Sequence, residues 1–209
     1  MKKTAFLVFV AAFLSVMACK EKKIEETSSQ QENEEVVEDG VEAEEGDFIE
    51  NSIGEEQQVA FLSVSAFYFH AVDMKSGEGN TQKGSDFTMH IEADIIALEN
   101  DLGYIVDQFV PFLTIGYEIL EQSSGSVLSK GRLMPMNASD GPHYGANINL
   151  SKAGTYTLRL IIHSPAENNY FIHTDKDTMP GAVLQKYWPE DKPLKVEFTD
   201  WVFDGKKVQ

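Results

Sequence analysis

The chain has 209 residues, 42% of them hydrophobic and 11% aromatic, which is enough for one sizeable core, and it carries a net charge of −17. An acidic excess of this size argues against nucleic-acid binding, which needs a basic footprint. With one cysteine, an internal disulfide is impossible.

Residues 1–18 read as a secretory signal peptide: Lys2 and Lys3, an apolar run from Ala5 to Leu14, and Ser15-Val16-Met17-Ala18 before Cys19. The run is too short to span a bilayer comfortably. Val-Met-Ala-Cys resembles a bacterial lipobox, with a methionine as its imperfect position, and predicts that Cys19 is lipidated and ties the chain to a membrane surface. The alternative is ordinary cleavage, leaving a free thiol. Residues 19–50 are read as a linker. From Lys20 to Glu50 there are thirteen acids against three lysines, a net of −10, with few large apolar residues. Such a segment cannot offset the entropy of ordering, and a disordered, self-repelling tether is expected.

Residues 51–209 should form one folded domain. Val59 to Phe69 is aromatic and β-branched, a buried strand, and Lys75 to Lys83 is a Gly, Ser and Asn loop. In the next strand Ile91, Ala93 and Ile95 alternate with His90, Glu92 and Asp94, so the polar set shares one face. Glu99 to Gln108 is turn-rich, with Gly103 suited to a left-handed conformation. Leu113, Ile115, Tyr117 and Ile119 mark a half-buried strand, and Val127 to Met136 another.

The run Met134 to Asn147, M-P-M-N-A-S-D-G-P-H-Y-G-A-N, crowds thioether, carboxylate and imidazole together. Gly141-Pro142 favours a turn there, which would return His143 toward Met136 and make a half-site for a metal. Tyr156, Leu158, Leu160 and Ile162 define a further strand, with His163 in the outward set, and Leu194, Val196 and Phe198 a last one before Trp201. Strand signals every 8–15 residues without a long helix predict an all-β antiparallel sandwich of seven to nine strands. No Ser-His-Asp constellation, phosphate-cradling glycine loop or paired-carboxylate hydrolase pattern stands out, so a conventional enzyme is not expected.

Four segments in order, M-H-I-E-A-D-I, F-V-P-F-L-T-I-G-Y-E-I, the long central run extended to Ile148, and Y-F-I-H-T-D-K-D-T, resemble the periplasmic ferrous-iron transport proteins, dimeric copper- and iron-binding proteins that work with an iron permease. The resemblance implies an immunoglobulin-like sandwich, a homodimer and an inner-membrane iron permease as partner. It implies copper ligation by His90, Met136, His143 and His173, the last in an H-x-D-x-x-T pattern that is preferred over His163. It also implies an acidic iron site at Glu92, Asp140 and Glu50. Sulfur with imidazole favours Cu(I), while iron tolerates oxygen donors, as would manganese; zinc is a further ion expected to bind in vitro. Ile96 departs from the family, where many relatives carry a second histidine. Met89 and Met134 are read as packing residues and His70 as a surface residue. The functional expectation is a lipid-anchored accessory protein of the cell envelope, periplasmic or on the outer membrane, that binds iron and delivers it to the permease. The alternatives are a copper-dependent iron oxidase and a surface lipoprotein that binds a host or envelope protein and uses metal structurally.

Overall fold

A computed structural model describes residues 49–175, 177–178 and 180–209, so the expected signal peptide, Cys19 and most of the acidic linker lie outside the described residues. The alternating runs form strands β1 (Asn51–Ser52), β2 (Gln57–Val59), β3 (Leu62–Phe69), β4 (Met74–Lys75), β5 (Thr81–Gln82) and β6 (Met89–Ala97). After a loop come β7 (Thr114–Glu121), β8 (Val127–Ala138), β9 (Gly141–Ile148) and β10 (Ala153–His163). A short helix, α1 (Pro180–Tyr187), precedes β11 (Leu194–Asp204).

The fold is all-β and antiparallel. Its strands run β1-β3-β6-β9-β8-β7-β10-β11, with β2 also on β3, and β4-β5 form a separate hairpin. The twelve-residue β8 belongs to both layers of the sandwich: Val127 to Leu133 pair with β7, and Met134 to Ala138 pair with β9. Pro135 stands beyond the last β7 pair, where a strand tolerates a residue without an N–H.

The core fixes which way β6 faces. Met89, Ile91, Ala93, Ile95 and Ala97 are all fully buried between the layers. A fully buried Ile contributes about 1.5–3 kcal/mol, and a one-residue slip would exchange this row for His90, Glu92 and Asp94. The polar row therefore lies on the outer side of the sheet. On β9 the same logic places Tyr144 and Ile148 inward, and His143, Gly145 and Asn147 outward beside β6.

Three local readings change. Val59 to Phe69 is not one strand: Ala60 takes a left-handed conformation (φ 54°), and the break lets Phe61 enter the core against Tyr104 and Trp188. The last strand runs past Trp201 to Asp204. A left-handed Asp200 (φ 60°) shifts its alternation so that Trp201 and Phe203 are buried as well as Val196 and Phe198. Finally, the turn of the central motif is Ser139-Asp140, between β8 and β9, while Gly141-Pro142 already belongs to β9. Met136 thus meets His143 as a cross-strand pair.

Candidate metal centre

The outer faces of β6, β9 and the second half of β8 form one surface. His90 lies beside Asn147, Glu92 beside Gly145, Gly145 beside Met134, and His143 beside Met136. An outward row is ordinarily wet, but His90, Glu92 and His143 are 0%, 3% and 4% exposed. The segment between β3 and β6 folds over them as a strap carrying β4 and β5. A cleft of about 920 Å³ remains between strap and sheet, lined by His90, Glu92, Met134, Met136, Asp140 and His143 among others.

One coordinating atom from each of His90, Glu92 and His143 lies within 4.8 Å of the others, and the same holds for Glu50, Glu92 and Asp140. Glu92 is common to both groups, so a nitrogen-rich and an oxygen-rich cluster share one carboxylate. The His90 and His143 rings stand 6.3 Å apart, and Phe69 packs on His90 at 5.0 Å. Gly145 is required by the imidazole: a Cβ at this position would stand 2.3 Å from His90 Nε2.

Hydrogen bonding assigns the protons of His90. Asn147 Nδ2 donates to the Val72 carbonyl (2.7 Å), so its Oδ1 faces His90 Nδ1 at 3.0 Å and accepts from it. The Nε2 of His90 is then a bare acceptor, buried and without a hydrogen-bond partner among the described residues. Glu92 Oε2 is likewise buried without one: His143 Nε2 comes within 3.3 Å, but not in hydrogen-bonding geometry. Leaving buried acceptors unmatched costs about 1–3 kcal/mol each unless a cation or donor satisfies them. A metal ion is the partner that suits two imidazole nitrogens, a carboxylate and a thioether together.

The electrostatics of the site agree with this. Burial, followed by the charges of Asp94, Glu50 and Asp140, pushes the Glu92 carboxyl up to about 8. Burial pushes the His90 imidazole down to about 4, with the hydrogen bond to Asn147 opposing it. His143 is also shifted down by burial, against the pull of Asp140 and Asp94. Glu50 and Asp94 are shifted up, chiefly by burial. The imidazoles are thus neutral and ready to ligate, and the crowded carboxylates would gain from a positive charge.

Six of the seven expected metal residues therefore face this cleft or its acidic rim. His173 does not. It is exposed on the segment before α1 and lines a separate apolar pocket with Tyr104, Phe112, Tyr170 and Phe171. Within one chain the expected three imidazoles reduce to two. His163 is bound to Glu167 at 2.6 Å. Met89 is a core residue, but Met134 does not pack: it is 55% exposed and faces the cleft, because it pairs with Gly145. His70 is part-buried and lines the cleft, so it is not simply a surface residue. Sequence reasoning placed Asp94 on the right face without giving it a role, and missed Asn147 and Gly145. The glycine left a trace, since a glycine inside a strand marks close approach.

A β-sandwich with this mixed nitrogen, sulfur and oxygen donor set on a covered outer face has the architecture of a metal-handling protein. The chain belongs to the Fe2+ transport protein family, whose model matches residues 47–205. It is 38% identical over 161 residues to the 34 kDa membrane antigen of Treponema pallidum, covering 76% of each chain. With a UPF0423 protein of Brucella abortus it shares 35% identity over 157 residues, 73% of this chain and 81% of the other. Among solved structures it is similar to FetP of uropathogenic Escherichia coli strain F11, expressed in the periplasm (TM-score 0.64, 32% identity, 76% of this chain and 99% of that one). It is equally similar to copper-reconstituted P19 of Campylobacter jejuni (TM-score 0.63, 32% identity, 75% and 98%).

Proposed function

We propose that this protein is an accessory protein of iron uptake in the cell envelope, which holds copper at His90, His143 and Met136 and takes iron as cargo at the neighbouring acids Glu50, Glu92 and Asp140. The observation that carries the reading is the pair of buried, unmatched acceptors, His90 Nε2 and Glu92 Oε2, facing one cleft. When bound, copper supplies a soft centre able to change oxidation state. The residues do the rest: Asn147 fixes the His90 tautomer, Gly145 makes room for the ring, and Glu92 gives both clusters a shared charge. Membrane attachment through lipid on Cys19 and delivery of iron to an inner-membrane permease complete the reading.

His173 fits as a ligand given by one protomer to its partner in a homodimer. Thr178 Oγ1 donates to Asp175, whose carboxylate can only accept, so the hydroxyl must accept from His173 Nδ1 at 2.9 Å. In the neutral ring this makes Nε2, on an exposed segment, the nitrogen open to a metal. Fully exposed Phe171 and the half-exposed Phe112 and Tyr170 beside it supply apolar surface for a second copy.

Fe(II) titrated anaerobically into copper-loaded protein should bind stoichiometrically at the acidic cluster. On admission of air, Fe(III) should not form at a copper-dependent, multiple-turnover rate. Repeated copper-dependent turnover would replace the carrier reading with an iron oxidase.

A further inference from the structure

We infer that Asn147 is a positioning residue that makes the strap over the cleft respond to occupancy of the metal site; this rests on the reading that metal binds through His90. Asn147 faces two ways. Its Oδ1 accepts from His90 Nδ1 at 3.0 Å and from the Val72 N–H at 3.2 Å, and its Nδ2 donates to the Val72 carbonyl at 2.7 Å. One amide therefore ties the backbone of the strap to the ring that presents its other nitrogen to the metal.

The strap is built as a loop with a fixed neck. A Cβ at Gly84 would stand 2.1 Å from the Ala71 carbonyl oxygen, so the two ends of the loop touch. Asp73 Oδ1 accepts from the Gly84 N–H at 2.8 Å, and Lys207 Nζ donates to the carbonyls of Gly84 and Ser85 at 3.1 and 2.8 Å. The body of the loop is different. From Ser76 to Gln82 it is exposed, and its β4-β5 hairpin has only two residue pairs. It forms one wall of the cleft through Val72, Asp73, Met74, Lys75 and Gly77. Asn147 grips it at Val72, inside the neck between Ala71 and Asp73, where the loose hairpin begins.

The chemistry gives the direction. A cation on Nε2 withdraws electron density from the ring and makes Nδ1–H a stronger donor. That bond polarises the Asn147 amide and strengthens its Nδ2–H bond to Val72. Binding at the centre thus fastens the wall over it, and loss of metal loosens the same wall.

Asp is nearly isosteric with Asn. Asn147→Asp keeps an acceptor for His90 Nδ1 and for the Val72 N–H but sets a carboxylate oxygen against the Val72 carbonyl, so it removes the donor half of the strap attachment and leaves the ring positioned. Asn147→Ala removes both. The test is backbone amide hydrogen exchange across residues 71–82, with and without Cu(I), alongside Cu(I) affinity, on the whole protein. In the wild type, Cu(I) should slow exchange at Val72 and its neighbours about tenfold or more. In Asn147→Asp loaded with Cu(I), that slowing should fall to about threefold or less. Asn147→Ala should lose the slowing and also about 10–100-fold in affinity. Cu(I) bound by the wild type with no slowing, or with equal slowing in Asn147→Asp, overturns the coupling and leaves the metal centre standing. A wild type that binds no Cu(I) overturns both.

Discussion

Metal-free protein is expected to lose stability as the pH rises from 6.5 to 8, and Glu92→Gln to abolish that loss. The Glu92 carboxyl is raised from 4.5 to about 8 in the fold, so the folded state holds a proton that the unfolded chain has released. Stability falls by up to about 1.4 kcal/mol per pH unit wherever that difference persists, from the unfolded value up to the folded one. His90 acts in a different window. Its folded value of about 4 lies below the 6.5 of the unfolded chain, so its contribution is complete above pH 6.5 and is lost as the pH falls toward 4. His143 is shifted the same way. Above pH 6.5 the Glu92 slope should therefore outweigh the histidines, with the upward shifts of Asp94 and Glu50 acting in the same direction, and amount to something on the order of 2 kcal/mol by pH 8. For a domain of this size that corresponds to a fall of about 4–8 °C in Tm. Thermal melts of chelator-treated wild type and Glu92→Gln at pH 6.5, 7.25 and 8 measure it. A wild-type Tm that is flat or rises with pH would mean that Glu92 is ionised and paired in the fold. Added metal should reverse the trend, since cations compete better for deprotonated ligands as the pH rises.

The second large effect concerns sulfur. Met136 stands across from His143 and faces the cleft, and a thioether has value for Cu(I) that it lacks for a hard divalent ion. Met136→Ala is expected to weaken Cu(I) binding roughly tenfold or more and to change Mn(II) binding by no more than about twofold, because the carboxylates are untouched. Competition titrations with a chromophoric chelator for each ion decide it. Equal losses for both ions would show that Met136 acts by shaping the cleft and does not ligate. Met134, on the same face two residues earlier and half-exposed, is the natural control: its removal leaves Met136 across from His143.

How far the sequence led differs from strand to strand. On β6 the alternation alone separates Ile91, Ala93 and Ile95 from His90, Glu92 and Asp94, because a two-residue period and a single core leave no second solution. The sequence could not show that the polar row would be covered, since that depends on a strap of Gly, Ser and Asn whose path is held by Asn147 and Lys207, far away in the chain. The central hairpin was expected to turn at Gly141-Pro142 and turns instead at Ser139-Asp140. Gly141-Pro142 would have paired Met136 with Asn147, whereas Ser139-Asp140 pairs it with His143. The two registers put the same residues on the same face, so the pattern of burial could not choose between them. His173 was legible as a motif but not as a place: its segment packs apart from the cleft of its own chain, and no strand periodicity extends to it.

The account rests on His90, Glu92 and His143 meeting around a cation. Its most direct test is metal analysis of protein purified without added metal, wild type beside His143→Ala, with circular dichroism to show that both are folded. The wild type should carry copper or iron, and His143→Ala should lose most of its copper. Metal content unchanged by the substitution would contradict the centre described here.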